Sequence, residues 1–145
     1  MATRRAEATW EGSLAEGKGQ AELASGVAPA LDVNWRARTE GGAQTSPEEL
    51  LAAAHAACFA MALSHELTEA GTQPERLSVG AAVSFDPVEG GFAVTKSELR
   101  VRGVVPGLDA GAFTEAAKGA AEGCPISGAL KGNVDISVEA ELESA

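Results

Sequence analysis

The chain has 145 residues, a length that fits one domain with a buried core, and its 45% apolar and 22% charged residues are ordinary for a globular protein. The formal net charge of −10 argues against a nucleic-acid partner, which would require a basic surface. Tyrosine is absent and aromatic residues make up only 4%, so a surface that stacks bases is not expected. We therefore expect a single domain over residues 1–145.

Three short strands are predicted before the first helix. The first two, residues 5–14 and 20–25, are separated by a glycine-containing turn, which indicates a hairpin. Apolar and polar residues then alternate from Leu31 to Arg38, which predicts a third strand. On that pattern Arg36 and Arg38 lie on the same polar face of the strand.

A long helix is predicted from Ser46 to about Ala70. Its start is marked by a capping serine, by Pro47 and by Glu49, which completes a capping box, and Gly71 is a suitable stop. A helix this rich in alanine and leucine is normally buried, and the charged residues within it argue against a membrane span. Because one more helix and about six strands can hardly cover it, we expect an obligate homodimer with an apolar interface.

The remainder of the chain alternates strands and helices. We predict, in order, strands over Leu77–Phe85 and Phe92–Val104 joined by a six-residue hairpin loop, a helix over Asp109–Glu122, up to two helical turns over Pro125–Lys131, and a strand over 134–142. The last strand alternates most regularly, with acidic and serine side chains toward water. This order predicts an α+β fold of about six mostly antiparallel strands around a long central helix.

The chain has two cysteines, one in the long helix and one beside a proline. His55 and Cys58 lie one turn apart on the same helix face, and Cys124 precedes Pro125. Spacing alone favours a buried core role for Cys58, since a thiol in mid-helix gains little from the helix dipole. His55 and Cys58 could form half of a metal site, but zinc generally requires four ligands, so we expect neither a metal nor a cofactor.

Three motifs resemble the OsmC/Ohr family: Thr-Ser-Pro-Glu-Glu-Leu at residues 45–50, Ala-His-Ala-Ala-Cys-Phe at 54–59 and Gly-Cys-Pro-Ile-Ser at 123–127. Further stretches near the N-terminus and around residues 91–96 resemble the OsmC branch. The resemblance extends over nearly the whole chain. It implies an OsmC-like fold, an intertwined homodimer, and a thiol-dependent peroxidase that reduces organic hydroperoxides.

The resemblance also implies a role for each site residue. Cys58 would attack the peroxide and become a sulfenic acid, and Cys124 would resolve that acid as a disulfide. Arg38, with Arg36 as the alternative, would lower the pKa of Cys58, and Glu48 would hold the arginine through a bidentate ion pair. An external dithiol, a lipoylated protein or dihydrolipoamide, would then reduce the disulfide. His55 and His65 are expected to be supporting or core residues.

The sequence thus predicts a cofactor-free peroxidase for alkyl or fatty-acid hydroperoxides, with apolar walls around Cys58 that include Phe59 and Met61. A non-enzymatic alternative is a dimeric stress protein that binds a lipid-like ligand in an apolar interface pocket. No signal-peptide pattern follows Met1, and two cysteines in such a chain are typical of redox chemistry, so we expect a cytoplasmic protein without a membrane partner.

Overall fold

The structure is a computed structural model that describes residues 1–143. These residues form two compact units, residues 1–50 and the rest of the chain, and the prediction of a single domain stays a prediction. The described residues contain six strands: β1 (Ala6–Glu11), β2 (Lys18–Leu23), β3 (Leu31–Val33), β4 (Arg76–Val88), β5 (Gly91–Val104) and β6 (Asp135–Leu142). They also contain four helices: α1 (Trp35–Thr39), α2 (Pro47–Glu69), α3 (Ala110–Gly123) and α4 (Pro125–Leu130).

Residues 1–50 hold a three-stranded antiparallel sheet in the order β1-β2-β3. The predicted hairpin between β1 and β2 is confirmed, with Ala8 opposite Ala21. Its turn is closed by a hydrogen bond of 2.8 Å from the Gly17 N–H to the Ser13 carbonyl. This small sheet leads directly into the residues that precede the long helix.

The third strand is shorter than predicted, because the chain turns into helix α1 after Val33. The side chain of Asn34 accepts a hydrogen bond of 2.8 Å from the Ala37 N–H and so caps this helix. Alternation of apolar and polar residues over only four positions is compatible with one helical turn as well as with a strand. Asn34 favours the helix because its side chain caps the first turn. The prediction that Arg36 and Arg38 share a strand face is therefore wrong.

Helix α2 confirms the predicted central helix at both ends. The Ser46 hydroxyl accepts a hydrogen bond of 3.1 Å from the Glu49 N–H, and Gly71 adopts a φ of +91° just after the helix. One face is buried at every fourth position, by His55, Phe59, Leu63 and Leu67. The opposite face carries alanines and Met61, which is 75% exposed.

A single chain therefore leaves much of helix α2 uncovered, as its composition predicts. Only 22% of its most apolar stretch is buried. By length and composition alone this helix could cross a membrane, a property it shares with core helices of soluble proteins.

Residues 51–143 contain the second sheet, in the order β4-β5-β6, with β4 and β5 antiparallel and β5 and β6 parallel. The parallel pair is joined by α3 and α4, as a parallel connection requires a crossover. Alternate residues of β5 face the core, including Leu99 and Val101. At Gly103 a Cβ atom would lie 2.6 Å from Cζ of Phe113, so this strand position has room only for glycine. The predicted α+β fold is confirmed.

The connection between β4 and β5 is tighter than predicted. Both strands continue through the expected loop to the pair Val88 and Gly91, which leaves a two-residue turn at Glu89 and Gly90. Pro87 is tolerated inside β4 because β4 is an edge strand of this sheet and its outer side needs no donor.

The C-terminal elements agree with the sequence patterns. Asp109 caps α3 by accepting a hydrogen bond of 2.8 Å from the Ala112 N–H, and the chain breaks at Cys124 before the short helix α4. In β6 the exposed and half-buried residues alternate along the strand, as predicted.

Candidate active site

The structure brings the two cysteines together within residues 51–143. Cys58 lies in the middle of helix α2, and Cys124 lies at the junction of α3 and α4 with an extended backbone (φ −66°, ψ 123°). Pro125 favours this extended conformation in the residue before it. Both cysteines are free thiols, and their sulfur atoms lie within hydrogen-bonding range of each other.

The environment of Cys58 disfavours its thiolate. Burial raises the pKa of Cys58 above its ordinary value, and the neighbouring Cys124 raises it further. The backbone N–H of Ile126 lowers the pKa of Cys58, but by less than burial raises it. Among the described residues no cation contributes to this shift. A nucleophilic Cys58 therefore needs a positive charge that this unit does not supply.

The environment of Cys124 has the opposite effect. Burial raises its pKa, but hydrogen bonds outweigh burial and hold the pKa of Cys124 below its ordinary value. The donors are the backbone N–H groups of Ser127 and Ile126, the Ser127 hydroxyl and the Cys58 thiol. Backbone N–H groups at the start of a helix stabilise negative charge in this way.

His55 is buried beside the cysteines and is bonded through both ring nitrogens. Nδ1 lies 2.7 Å from the Ser97 hydroxyl and Nε2 lies 2.8 Å from the Ser127 hydroxyl. Burial lowers the pKa of His55 below its ordinary value, so the ring is neutral at pH 7. From the sequence, His55 is expected only as a supporting or core residue, and neither serine is expected in the site. The signal available for Ser127 was its position one turn after Cys124 in the Gly-Cys-Pro-Ile-Ser motif.

Arg38 and Glu48 form the bidentate ion pair that the resemblance implied. Arg38 Nε donates to Glu48 Oε1 and a terminal nitrogen donates to Oε2, each at 3.0 Å. The Arg38 side chain is 29% exposed and the Glu48 side chain 9% exposed, so the pair is largely shielded from water. The guanidinium also lies over the Trp35 ring, 5.7 Å from its centroid.

Arg36, the alternative to Arg38, points elsewhere. Its side chain is 78% exposed and forms an ion pair of 3.1 Å with Glu40 on the same short helix. Of the two arginines, Arg38 is thus the one held in a fixed position. Their different roles follow from helix α1, which directs residues two positions apart to different sides.

An apolar pocket of about 460 Å³ opens beside Arg38 within residues 1–50. Its walls include Trp10, Leu14, Trp35 and Pro47. The walls predicted for Cys58 are different: Phe59 is fully buried in the core, and Met61 is on the exposed face of α2. The prediction of Phe59 and Met61 as pocket walls is therefore not supported by the structure.

Glu48 and Cys58 lie on one uninterrupted helix. They are ten positions apart in α2, which corresponds to about 15 Å along the helix axis. The structure thus provides two groups of candidate residues, an arginine–glutamate pair and a dithiol. In residues 1–143, no cluster of three or more histidine, cysteine or acidic residues is arranged to hold a metal ion.

The α+β fold and the site can now be compared with those of known proteins. Residues 39–139 match the family described as OsmC-like protein. The chain is 43% identical to Peroxiredoxin OsmC of Escherichia coli (strain K12) over 141 residues, 97% of each chain. It is 34% identical to the Organic hydroperoxide resistance protein of Xanthomonas axonopodis pv. citri over 99 residues, 68% of each chain. The chain belongs to the OsmC-like family.

Solved structures agree with this assignment. The crystal structure of the organic hydroperoxide resistance protein OhrB of Bacillus subtilis superposes with a TM-score of 0.74 at 34% identity, covering 96% of this chain and 98% of the other. An organic hydroperoxide resistance protein from Elizabethkingia anophelis superposes with a TM-score of 0.79 at 25% identity, covering 99% and 98%.

Proposed function

We propose that this protein is a cysteine-based peroxidase that reduces organic hydroperoxides to alcohols. One observation carries the proposal: two free thiols lie within hydrogen-bonding range in a chain that is 43% identical, over nearly its full length, to a peroxiredoxin. Relatives named organic hydroperoxide resistance proteins support a role in oxidative stress.

The reaction has two chemical steps. The Cys58 thiolate attacks the outer peroxide oxygen, the O–O bond breaks, and the alkoxide takes a proton and leaves as the alcohol, while Cys58 becomes a sulfenic acid. The Cys124 thiol then attacks the Cys58 sulfur, a disulfide forms and the oxygen leaves as water. An external dithiol, dihydrolipoamide or a lipoylated protein, exchanges with the disulfide and restores both thiols.

The first step needs a cation near Cys58, and Arg38 is the residue proposed to provide it. The guanidinium held by Glu48 carries a positive charge that would favour the thiolate. Since Glu48 and Cys58 are separated by about 15 Å on one helix, we place Arg38 and Glu48 of one subunit beside Cys58 of a second. The uncovered apolar face of α2, with Met61 at its centre, is the surface proposed to contact the second copy.

The proposed substrates carry an alkyl or fatty-acid group. The apolar pocket beside Arg38 would hold such a group, with a gain of about 0.8 kcal/mol for each buried methylene. Cumene hydroperoxide should therefore react with a higher specificity constant than hydrogen peroxide. A cytoplasmic location, where thioredoxin and glutathione keep thiols reduced, is part of the same proposal.

Thiol titration tests the function directly. We expect one equivalent of cumene hydroperoxide to remove both free thiols, and dihydrolipoamide to restore them.

The competing function is a stress protein that binds a lipid-like ligand and has inert thiols, for which the same apolar pocket would serve as the binding site. That function predicts unchanged thiol content after the peroxide is added, together with saturable binding of a fluorescent fatty acid.

A further inference from the structure

A buried chain of hydrogen bonds runs through the core of residues 51–143, and the peroxide chemistry above makes no use of it. It joins Ser97 on β5, His55 on α2 and Ser127 on α4 through contacts of 2.7 and 2.8 Å. The exposed fractions of these three residues are 0%, 0% and 4%. A histidine buried this completely, with a hydroxyl on each ring nitrogen, is fixed in orientation and shielded from water.

The chain of hydrogen bonds ends at a reactive sulfur. Cys124 is the residue that precedes α4 and Ser127 is the third residue of that helix, so their side chains meet across its first turn. The Ser127 hydroxyl also contributes to the lowered pKa of Cys124, as expected for two side chains on one helical turn. Ser127 is thus a neighbour of the thiol that must lose a proton, and it is hydrogen-bonded to the ring nitrogen of His55.

A serine hydroxyl has a single proton, and this limits the possible arrangements. When Cys124 is a thiol, its S–H points at the Ser127 oxygen, and the Ser127 proton is donated to His55 Nε2. When Cys124 is a thiolate, the Ser127 proton is donated to the sulfur, and Nε2 must carry a proton of its own. The protonation of Cys124 and that of His55 Nε2 are therefore linked through Ser127.

We propose that Ser127 and His55 form a proton relay for the second step of the reaction, in which Cys124 attacks the Cys58 sulfenic acid. The inference rests on the proposed peroxidase function. Ser127 touches the reacting sulfur, and His55 is a positioning residue that acts through it. The relay uses the tautomer in which Nδ1 donates to the Ser97 hydroxyl, which the 2.7 Å contact allows and which leaves Nε2 free to receive the proton.

The step balances in atoms and electrons. The Cys124 proton moves to the Ser127 oxygen as the Ser127 proton moves to His55 Nε2, and the sulfur–sulfur bond forms while the Cys58 sulfur–oxygen bond breaks. Cys124 sulfur is oxidised and the sulfenic sulfur is reduced. The imidazolium then returns its proton through Ser127, and the departing oxygen leaves as water. The lowered pKa of His55 agrees with this role. The ring is neutral before the step and can accept a proton, and the imidazolium releases that proton readily afterwards.

The link to Cys124 can be tested without any peroxide. In a Cys58→Ser background Cys124 is the only thiol, and the ultraviolet absorbance of its thiolate gives the thiolate fraction at neutral pH. Ser127→Ala should lower that fraction roughly tenfold through the loss of a hydrogen bond to a charged group. Ser127→Thr, which keeps the hydroxyl, should restore it. Ser137→Ala, at an exposed position of β6, is the matched control and should not change it.

Rapid-quench kinetics on the two-cysteine protein test the relay itself. His55→Gln keeps a hydrogen-bond partner for Ser127 but cannot accept a proton. It should slow disulfide formation by about tenfold or more relative to the rate of Cys58 oxidation measured in the same variant. Circular dichroism of each variant verifies folding.

The two measurements separate the possible failures. If hydroperoxides do not oxidise Cys58 in any protein that keeps this cysteine, the proposed function is wrong. The thiolate absorbance of Cys124 would still report on the role of Ser127. An unchanged thiolate fraction in Ser127→Ala, or wild-type disulfide formation in His55→Gln with normal Cys58 oxidation, would overturn the relay.

Discussion

Two regions of this molecule hold polar groups away from water by different means. In residues 1–50, Arg38 and Glu48 carry full charges, and each satisfies the other through two hydrogen bonds of 3.0 Å. In residues 51–143, the buried ring of His55 is hydrogen-bonded to two serine hydroxyls, and burial lowers the pKa of this histidine. The shielded polar group of the first region is an ion pair, and that of the second region is a neutral histidine.

This difference shows what each region can contribute to a thiol reaction. The neutral cluster can transfer protons and can stabilise a Cys124 thiolate through helix N–H groups, but it raises the pKa of Cys58. The Arg38 guanidinium of the ion pair can supply a positive charge. A nucleophilic Cys58 requires both properties, so we expect the two regions to be needed together, across a subunit interface.

The largest effect on peroxidase activity should come from replacing either cysteine with serine. Cys58→Ser should reduce peroxidase turnover to the rate without protein, because the nucleophile is lost. Cys124→Ser should allow a single oxidation and then stall, with Cys58 open to over-oxidation, as mass spectrometry would show. Sustained turnover by Cys124→Ser with a dithiol would mean that Cys124 is not the resolving thiol.

The next largest effect is expected at the charged pair. Arg38→Ala should lower kcat/KM for cumene hydroperoxide by about 100-fold, the usual cost of removing one electrostatic stabiliser from an active site. Arg36→Ala is the matched control, because that exposed side chain pairs only with its neighbour Glu40 in the described contacts. Equal losses in the two variants would indicate a general effect of net charge.

About half of the site could be read from the sequence. Ser46, Pro47 and Glu49 mark the start of α2 through local capping chemistry, so the position of Cys58 within that helix could be predicted. The Arg38–Glu48 pair was expected from the family resemblance, and its geometry agrees with that expectation. Both depend on short-range signals or on motifs.

The rest of the site depends on contacts between residues distant in sequence. His55 is separated by 42 positions from Ser97 and by 72 from Ser127, and serine is too common a residue to be singled out by composition. The prediction of strand β3 through Arg38 was wrong because alternation over so short a stretch also fits a helix, and only the cap at Asn34 decides. Local sequence patterns therefore predict helices and strands better than they predict hydrogen bonds between residues that are distant in sequence.

A smaller effect should appear in the pH dependence of stability. The folded state lowers the pKa of His55 below 6.5, so the unfolded chain binds more protons as the pH falls through and below that value. The free energy of unfolding should therefore decrease on acidification from neutral pH, by at most about 1.4 kcal/mol per pH unit from this group. In urea titrations, His55→Gln should lose this component, whereas His65→Gln, at an exposed helix position, should retain it. A His55→Gln slope equal to that of the wild type would contradict the burial of a neutral ring.

The remaining prediction concerns packing alone and does not involve the thiols. Gly103→Ala should destabilise the fold by about 1–3 kcal/mol, because the added Cβ would meet Phe113 at 2.6 Å. Gly80→Ala on the neighbouring strand is the control, since nothing lies within 4 Å of its Cβ position. Thermal unfolding of both variants gives the comparison, and equal stabilities would show that the sheet and α3 are less tightly packed than the structure indicates.

The central claim, that the charged pair of one subunit serves the dithiol of another, is tested most directly by mixing inactive variants. Arg38→Ala and Cys58→Ser subunits are unfolded together and refolded at equal concentrations, and native mass spectrometry verifies that heterodimers form. Each heterodimer would regain one intact site, so random pairing should recover about a quarter of wild-type activity. Heterodimers without recovered activity would contradict the claim and would place all four residues on one chain.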